Sequence, residues 1–284
     1  MEPLATGYEL VEAPLWRPGE GLYFSDVLGG GVHRLGLDGQ VQTVLPHRRG
    51  IGGMAWHQAG GLVVGGRNIA FKSLDGRRSA VLLDETTAPG SQGFNDLATD
   101  AAGRLYVGAL AFRVFGGEAP RPGRLHLVDL DGRARGVADG ILLTNGLGFS
   151  PDGRRLYHSD ARADVVRVYD VGEDGGLSPW RPLAELRGTP DGLAVAADGS
   201  VWVALAAAGS VVVLEPDGRE RRRLAVPLPM VTSLCFGGDD LRDLYVVTGA
   251  RHGPRERCGT VYRTRADVPG MLRPPARVPL PDAA

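Results

Sequence analysis

Short runs of alternating apolar and polar residues, broken by turn-formers, fill almost the whole chain, and one run recurs six times. It reads Gly-Leu-Tyr-Phe (21–24), Gly-Leu-Val-Val (61–64), Arg-Leu-Tyr-Val (104–107), Arg-Leu-Tyr-His (155–158), Ser-Val-Trp-Val (200–203) and Asp-Leu-Tyr-Val (243–246). A period of two in β-branched and aromatic residues is the pattern of a strand. After each of the first five copies a second run ends in Asp-Gly, at 38–39, 75–76, 131–132, 174–175 and 217–218. Asp-Gly between alternating runs is a strong hairpin signal. After the sixth, Gly259-Thr-Val-Tyr-Arg-Thr takes the same place without the turn dipeptide. A further strand-like run precedes each copy: APLW (13–16), GGMAW (52–56), FNDLAT (94–99), NGLGFS (145–150), DGLAVA (191–196) and TSLCF (232–236).

These leading runs begin near 12, 52, 95, 145, 191 and 232, in steps of 40 to 50 residues, which is one four-stranded unit per step. Radial repetition of such units around a channel makes a β-propeller. The sequence therefore predicts an all-β, six-bladed β-propeller of four-stranded blades, with residues 1–284 as a single domain. Gly7 to Val11 is expected to supply the missing outer strand of the last blade and close the ring. A β-sandwich would lack the fixed step, and a βαβ fold needs helical runs that are absent from the pattern.

Composition narrows the partners. With 43% hydrophobic and 23% charged residues the chain has ample core material, which excludes disorder. A formal net charge of -1 gives no global field for a nucleic acid or an anionic membrane surface. No apolar run approaches a bilayer span, and the N-terminus, MEPLATGYELVEAPLW, has no secretory pattern, so a cytoplasmic location is expected. Cys235 and Cys258 form no CxxC and are read as buried or incidental thiols. Oligomeric state is expected to be a monomer or a weak homo-oligomer.

In a propeller the innermost strands run in one direction along the channel, so their beginnings converge at one end. Those beginnings carry Glu12, Asn95 with Asp96, Asn145 and Asp191, beside Gly50–Gly53 and Val231–Thr232. Two carboxylates and two carboxamides aimed at one point repel or stay unsatisfied unless a positive group sits between them. A hard divalent cation fits oxygen donors, with Ca2+ first, Mg2+ and Mn2+ next, and Zn2+ less natural without His or Cys. Asn145-Gly146 and Asp191-Gly192 also read as turn dipeptides. Their phase in the repeat, ahead of the inner strands, separates them from the hairpin Asp-Gly pairs. Asp26 and Asp160 are read as strand-end hydrogen-bonders, and Arg219–Arg223 as a solvated strand face. Gly148-Phe149-Ser150-Pro151-Asp152 fails the nucleophile-elbow pattern, and the six His have no metal spacing.

Glu12-Ala-Pro-Leu-Trp16, Phe94-Asn-Asp96, the run Asn145–Tyr157, Thr189-Pro-Asp-Gly192 and Val231–Gly238 resemble the senescence marker protein/gluconolactonase/luciferin-regenerating enzyme family, in order along essentially the whole chain. The resemblance implies a six-bladed propeller, one divalent metal at the channel mouth, and lactone hydrolysis. It implies Glu12, Asn145 and Asp191 as metal ligands, Asp191 also as general base, and Asn95 and Asp96 beside the substrate. Two departures stand out. Gly93 occupies a position where sugar-lactone hydrolases of the family often have Arg, and Phe112 one where they carry Glu. Both remove polar contacts and point to a lactone or ester less polar than an aldonolactone, with Phe112 and Arg113 at its side. The alternatives are a non-catalytic propeller that binds small molecules or proteins, and a metal-dependent esterase acting on a non-sugar ester.

Overall fold

A computed structural model describes residues 1–281 and contains six four-stranded antiparallel sheets, a six-bladed β-propeller. The inner strands are Val11–Arg17, Met54–Trp56, Gly93–Thr99, Thr144–Phe149, Pro190–Val195 and Met230–Gly237, in blades one to six. The second strands are Gly21–Asp26, Leu62–Val64, Leu105–Leu110, Arg155–Asp160, Val201–Leu205 and Asp243–Gly249. Each Asp-Gly pair picked out by the repeat lies between the third and fourth strands of its blade. Gly39, Gly76, Gly132, Gly175 and Gly218 all have φ between 72° and 91°, which Gly adopts without steric cost.

The middle strands are apolar on both faces because each blade is covered on both sides by its neighbours. Val201–Leu205 and Ser210–Leu214 are buried at every position. The apolar residues fall into six clusters, one per blade-to-blade interface. Trp202 and Phe236 meet edge to face between blades five and six at 5.3 Å. Outer strands such as Val41–Leu45 turn most of their side chains to water.

The ring is closed by the N-terminus. Glu2–Tyr8 pairs with Gly259–Arg265 as the fourth strand of blade six. The closing strand therefore begins ahead of the expected Gly7–Val11 segment and shares Gly7 and Tyr8 with it, because Val11 already belongs to the inner strand of blade one. The arginine run 219–223 lies on the outer strand of blade five and is neutralised locally: Arg221 pairs with Glu215 and Asp198, and Arg222 with Asp267.

A feature with no counterpart in the repeat is the segment after residue 268, which crosses the far end of the channel as a strap. Ala197 N–H donates to Pro269 O (2.9 Å) and Gly270 N–H to Leu241 O (2.8 Å). Further on, Ala276 N–H donates to Trp56 O (2.7 Å), and His57 Nε2 donates to Val278 O (2.9 Å). The strap thus ties blades five and six to blade two. Among the described residues no helix is long and apolar enough to cross a membrane.

Candidate functional site

Five of the six inner strands carry a β-bulge near the same end of the axis. The register slips between Glu12 and Leu15, Phe94 and Leu97, Thr144 and Leu147, Pro190 and Leu193, and Val231 and Ser233. A bulge bends its strand and re-aims a side chain. Here four of them turn Glu12, Asn95, Asn145 and Asp191 into one cavity of about 1200 Å³ at the channel mouth. The inner strand of blade two pairs without a bulge and offers no side-chain oxygen there; its Gly52 and Gly53 leave room for its neighbour. A Cβ on Gly52 would lie 1.8 Å from Asn95 Oδ1.

Asn145-Gly146 and Asp191-Gly192 are strand residues, not turns. Their glycines serve close approach. A Cβ on Gly146 would sit 2.3 Å from Leu193 N, and one on Gly192 2.1 Å from Ser233 Oγ. The inner strands therefore come together tightly enough to hold three side chains from different blades around the axis. On the other side of Glu12, Ala13 has φ 53°, a left-handed conformation uncommon for a residue with a side chain.

The floor of the cavity is acidic, and its polar side chains are buried. Glu12, Asn145 and Asp191 are 9%, 8% and 7% exposed. Asn95 Nδ2 donates to Asn145 Oδ1 (2.7 Å) and to Thr144 O (2.8 Å), fixing the Asn145 carboxamide and leaving its oxygen a second lone pair. Asp191 Oδ1 is buried with no hydrogen-bond partner. Burial, then the charges of Asp191 and Asp96, push the Glu12 carboxyl well above its ordinary range. Burial, then Asp96, does the same to Asp191, with the Gly192 N–H partly offsetting it. Burial holds Asp96 up at about 7, moderated by Arg273 of the C-terminal strap.

The expected residues do not all fall in one place. Phe112 and Arg113 line the cavity with Asn95; Phe112 is buried, while Arg113 is exposed and lies 3.8 Å from Glu118. Asp96 is buried but does not line the cavity. It acts on Glu12 and Asp191 through its charge. No group of three His, Cys, Asp or Glu with metal-holding geometry occurs among the described residues, so any cation here would rely on carboxamide oxygen as well. Asp26 and Asp160 are strand-end acceptors: Asp26 takes Glu9, Leu10 and Gly29 N–H, and Asp160 takes Leu142 and Leu143 N–H together with Arg167.

Two features of the site lay outside the sequence reading. One is the strap and its Arg273. The other is a set of three arginines, Arg67, Arg162 and Arg251, which together with the expected Arg113 follow the second strands of four blades and line the cavity. Their shared phase in the repeat was the available signal.

Fold and site together define a six-bladed propeller with a cavity on its axis whose floor carries buried carboxyls. Residues 10–250 match the SMP-30/gluconolactonase/LRE-like region. The chain belongs to that family. It is 34% identical over 282 residues to a 6-deoxy-6-sulfogluconolactonase of Pseudomonas putida, covering 93% of this chain and 94% of that one. It is also 34% identical over 275 residues to the pentonolactonase XacC of Haloferax volcanii, covering 94% and 90%. A luciferin-regenerating enzyme structure superposes with a TM-score of 0.87 at 24% identity, over 98% of this chain and 99% of that one.

Proposed function

We propose that this protein hydrolyses a small lactone with the help of one divalent cation held by Glu12, Asn145 and Asp191. The observation that carries the reading is the unpartnered Asp191 Oδ1 among carboxyls whose pKa values are raised first by burial and then, for Glu12 and Asp191, by neighbouring carboxylates. Such a set is costly to bury unless a cation balances it. The donors are all oxygen, which favours Ca2+ over Mg2+, Mn2+ and Zn2+. The relatives named as lactonases support the choice of reaction.

A cation bound there supplies a Lewis acid that polarises an ester carbonyl and lowers the pKa of water. The chain's own groups do the rest. Asp191 accepts a proton from the water that attacks the carbonyl carbon. The acyl carbon–ring oxygen bond then breaks, the proton passes to the departing ring oxygen, and a hydroxy acid leaves. Asn95 holds the Asn145 carboxamide and orients the substrate. Asp96, off the cavity lining, adds negative charge behind the site. Gly93 and Phe112, both on the cavity wall, offer no side-chain hydrogen bond to ring hydroxyls. The favoured lactone therefore has few hydroxyls on that side. Retention of Glu12, Asn145 and Asp191 at the axis argues against a non-catalytic platform, which has no need to crowd acids there.

Asp191→Asn is the direct test, because it keeps shape and removes the base. Lactone turnover, followed with a pH indicator across sugar, aliphatic and aromatic lactones, is expected to fall by about 10²–10⁴-fold in kcat. Full turnover in this variant, with its thermal midpoint unchanged, would remove Asp191 from the mechanism.

A further inference from the structure

The six loops that follow the second strands all open at the cavity end, since the start of each inner strand pairs with the end of its second strand, as in Val11 with Asp26 and Thr144 with Asp160. Blades one and five place Val27, Ala206 and Ala207 there. Blades two, three, four and six place Arg67, Arg113, Arg162 and Arg251. A chain with a net charge of -1 has no general excess of cations to explain this. Arginine elsewhere is mostly neutralised by a neighbour, as Arg104 is by Asp100 and Arg265 by Asp240 and Asp243. At the rim only Arg113 approaches a carboxylate, Glu118 at 3.8 Å; Arg67, Arg162 and Arg251 have no ion-pair partner among the described residues. The rim's own acid, Asp164, accepts the Thr189 N–H. Arg162 lies over the Phe112 ring, 6.0 Å from its centroid, against the cavity wall.

An acidic floor beneath a ring of unpaired guanidinium groups sorts a ligand by charge along its length. The floor takes the end that turns negative during reaction only with a cation present, while the rim favours an end that is negative throughout. We infer that the substrate carries a permanent anionic substituent, a sulfonate, phosphate or carboxylate, on the side of the ring away from the ester carbonyl, and that Arg67, Arg162 and Arg251 bind it. Guanidinium forks match the oxygens of all three groups. The inference rests on the lactonase reading for the reacting end and on the arginines for the other. It is compatible with the few hydroxyls expected beside Gly93 and Phe112, which lie on the wall.

The test compares one δ-lactone in four forms, with hydroxyl, sulfonate, phosphate or carboxylate on its exocyclic carbon. At least one charged form is expected to exceed the neutral form about tenfold in kcat/KM, mainly through KM. In the triple variant Arg67→Gln/Arg162→Gln/Arg251→Gln that ratio is expected to fall below about threefold, and in about 1 M salt, where the Debye length is about 3 Å, to shrink likewise in the wild type. Equal rates for all four forms, or a preference that survives the triple variant, would overturn the inference while leaving the lactonase reading intact. A second arm needs no turnover. Calorimetric titration with the open-chain hexitol 6-sulfonate and 6-phosphate, which have no ester carbonyl, should show binding to the wild type that is lost in the triple variant at an unchanged thermal midpoint. Absence of binding to the wild type counts against the rim even if lactones are hydrolysed, and binding without hydrolysis of any lactone upholds the rim while removing the lactonase reading.

Discussion

Gly192 shows how much of the site depends on the absence of a side chain. Its place in Thr-Pro-Asp-Gly suits a turn, yet it sits in a strand where a Cβ would meet Ser233 Oγ at 2.1 Å and Ser233 Cα at 2.7 Å. Gly192→Ala must push blades five and six apart. Overpacking of this kind costs about 1–3 kcal/mol, so denaturant unfolding is expected to show a loss in that range. The same substitution moves the neighbouring Asp191 and should lower lactone turnover; an alanine variant with wild-type stability would mean that the inner strands are looser than the geometry implies. Glu12, Asn95, Asn145 and Asp191 were legible from their phase in the repeat, because antiparallel blades deliver equivalent positions to one end. Asp96 was legible as an acid near the site but not as one withdrawn from the cavity, since a β-bulge decides which of two adjacent residues faces the axis, and periodicity does not reveal a bulge.

At the level of elements, strands of period two marked every blade and Asp-Gly hairpins the first five, and the middle strands' unbroken apolar runs, such as Val211–Leu214, follow from burial on both faces. Segments outside the repeat were less legible. The closing strand Glu2–Tyr8 has no regular alternation and is exposed at several positions, so its pairing with Gly259–Arg265 is set by the tertiary gap it fills. The strap is richer still in proline and has no periodicity; its contribution comes from Ala276 and Val278, both fully buried, and from backbone hydrogen bonds to blades two, three, five and six. Ending the chain at Val268 removes these. Two buried aliphatic side chains and several hydrogen bonds correspond to about 2–4 kcal/mol, which lowers the thermal midpoint of a protein this size by roughly 5–10 °C. A scanning-calorimetry trace with an unmoved midpoint would show that the strap merely lies on the surface.

For the whole molecule, the axial carboxyls on the proposed reading couple stability to both protons and a bound cation. The folded pKa values of Glu12, Asp96 and Asp191 lie above their unfolded values, that of Asp96 at about 7. Without a cation, the folded state keeps protons that the unfolded chain has already released above about pH 4. The stability associated with these groups is therefore present below about pH 4 and is lost as pH rises through their raised folded values, about 7 for Asp96. On the proposed reading a divalent cation takes the place of those protons, so its stabilising effect should be larger at pH 8 than at pH 5.5, and it should be the condition in which lactone turnover appears. Both consequences meet in one experiment. Chelator-stripped protein at pH 8 is titrated with Ca2+ while thermal midpoint and lactone hydrolysis are read on the same samples. The two are expected to rise together and saturate at one equivalent; full hydrolysis by the stripped protein, or a midpoint that does not respond to the cation, would contradict an axis organised around a bound ion.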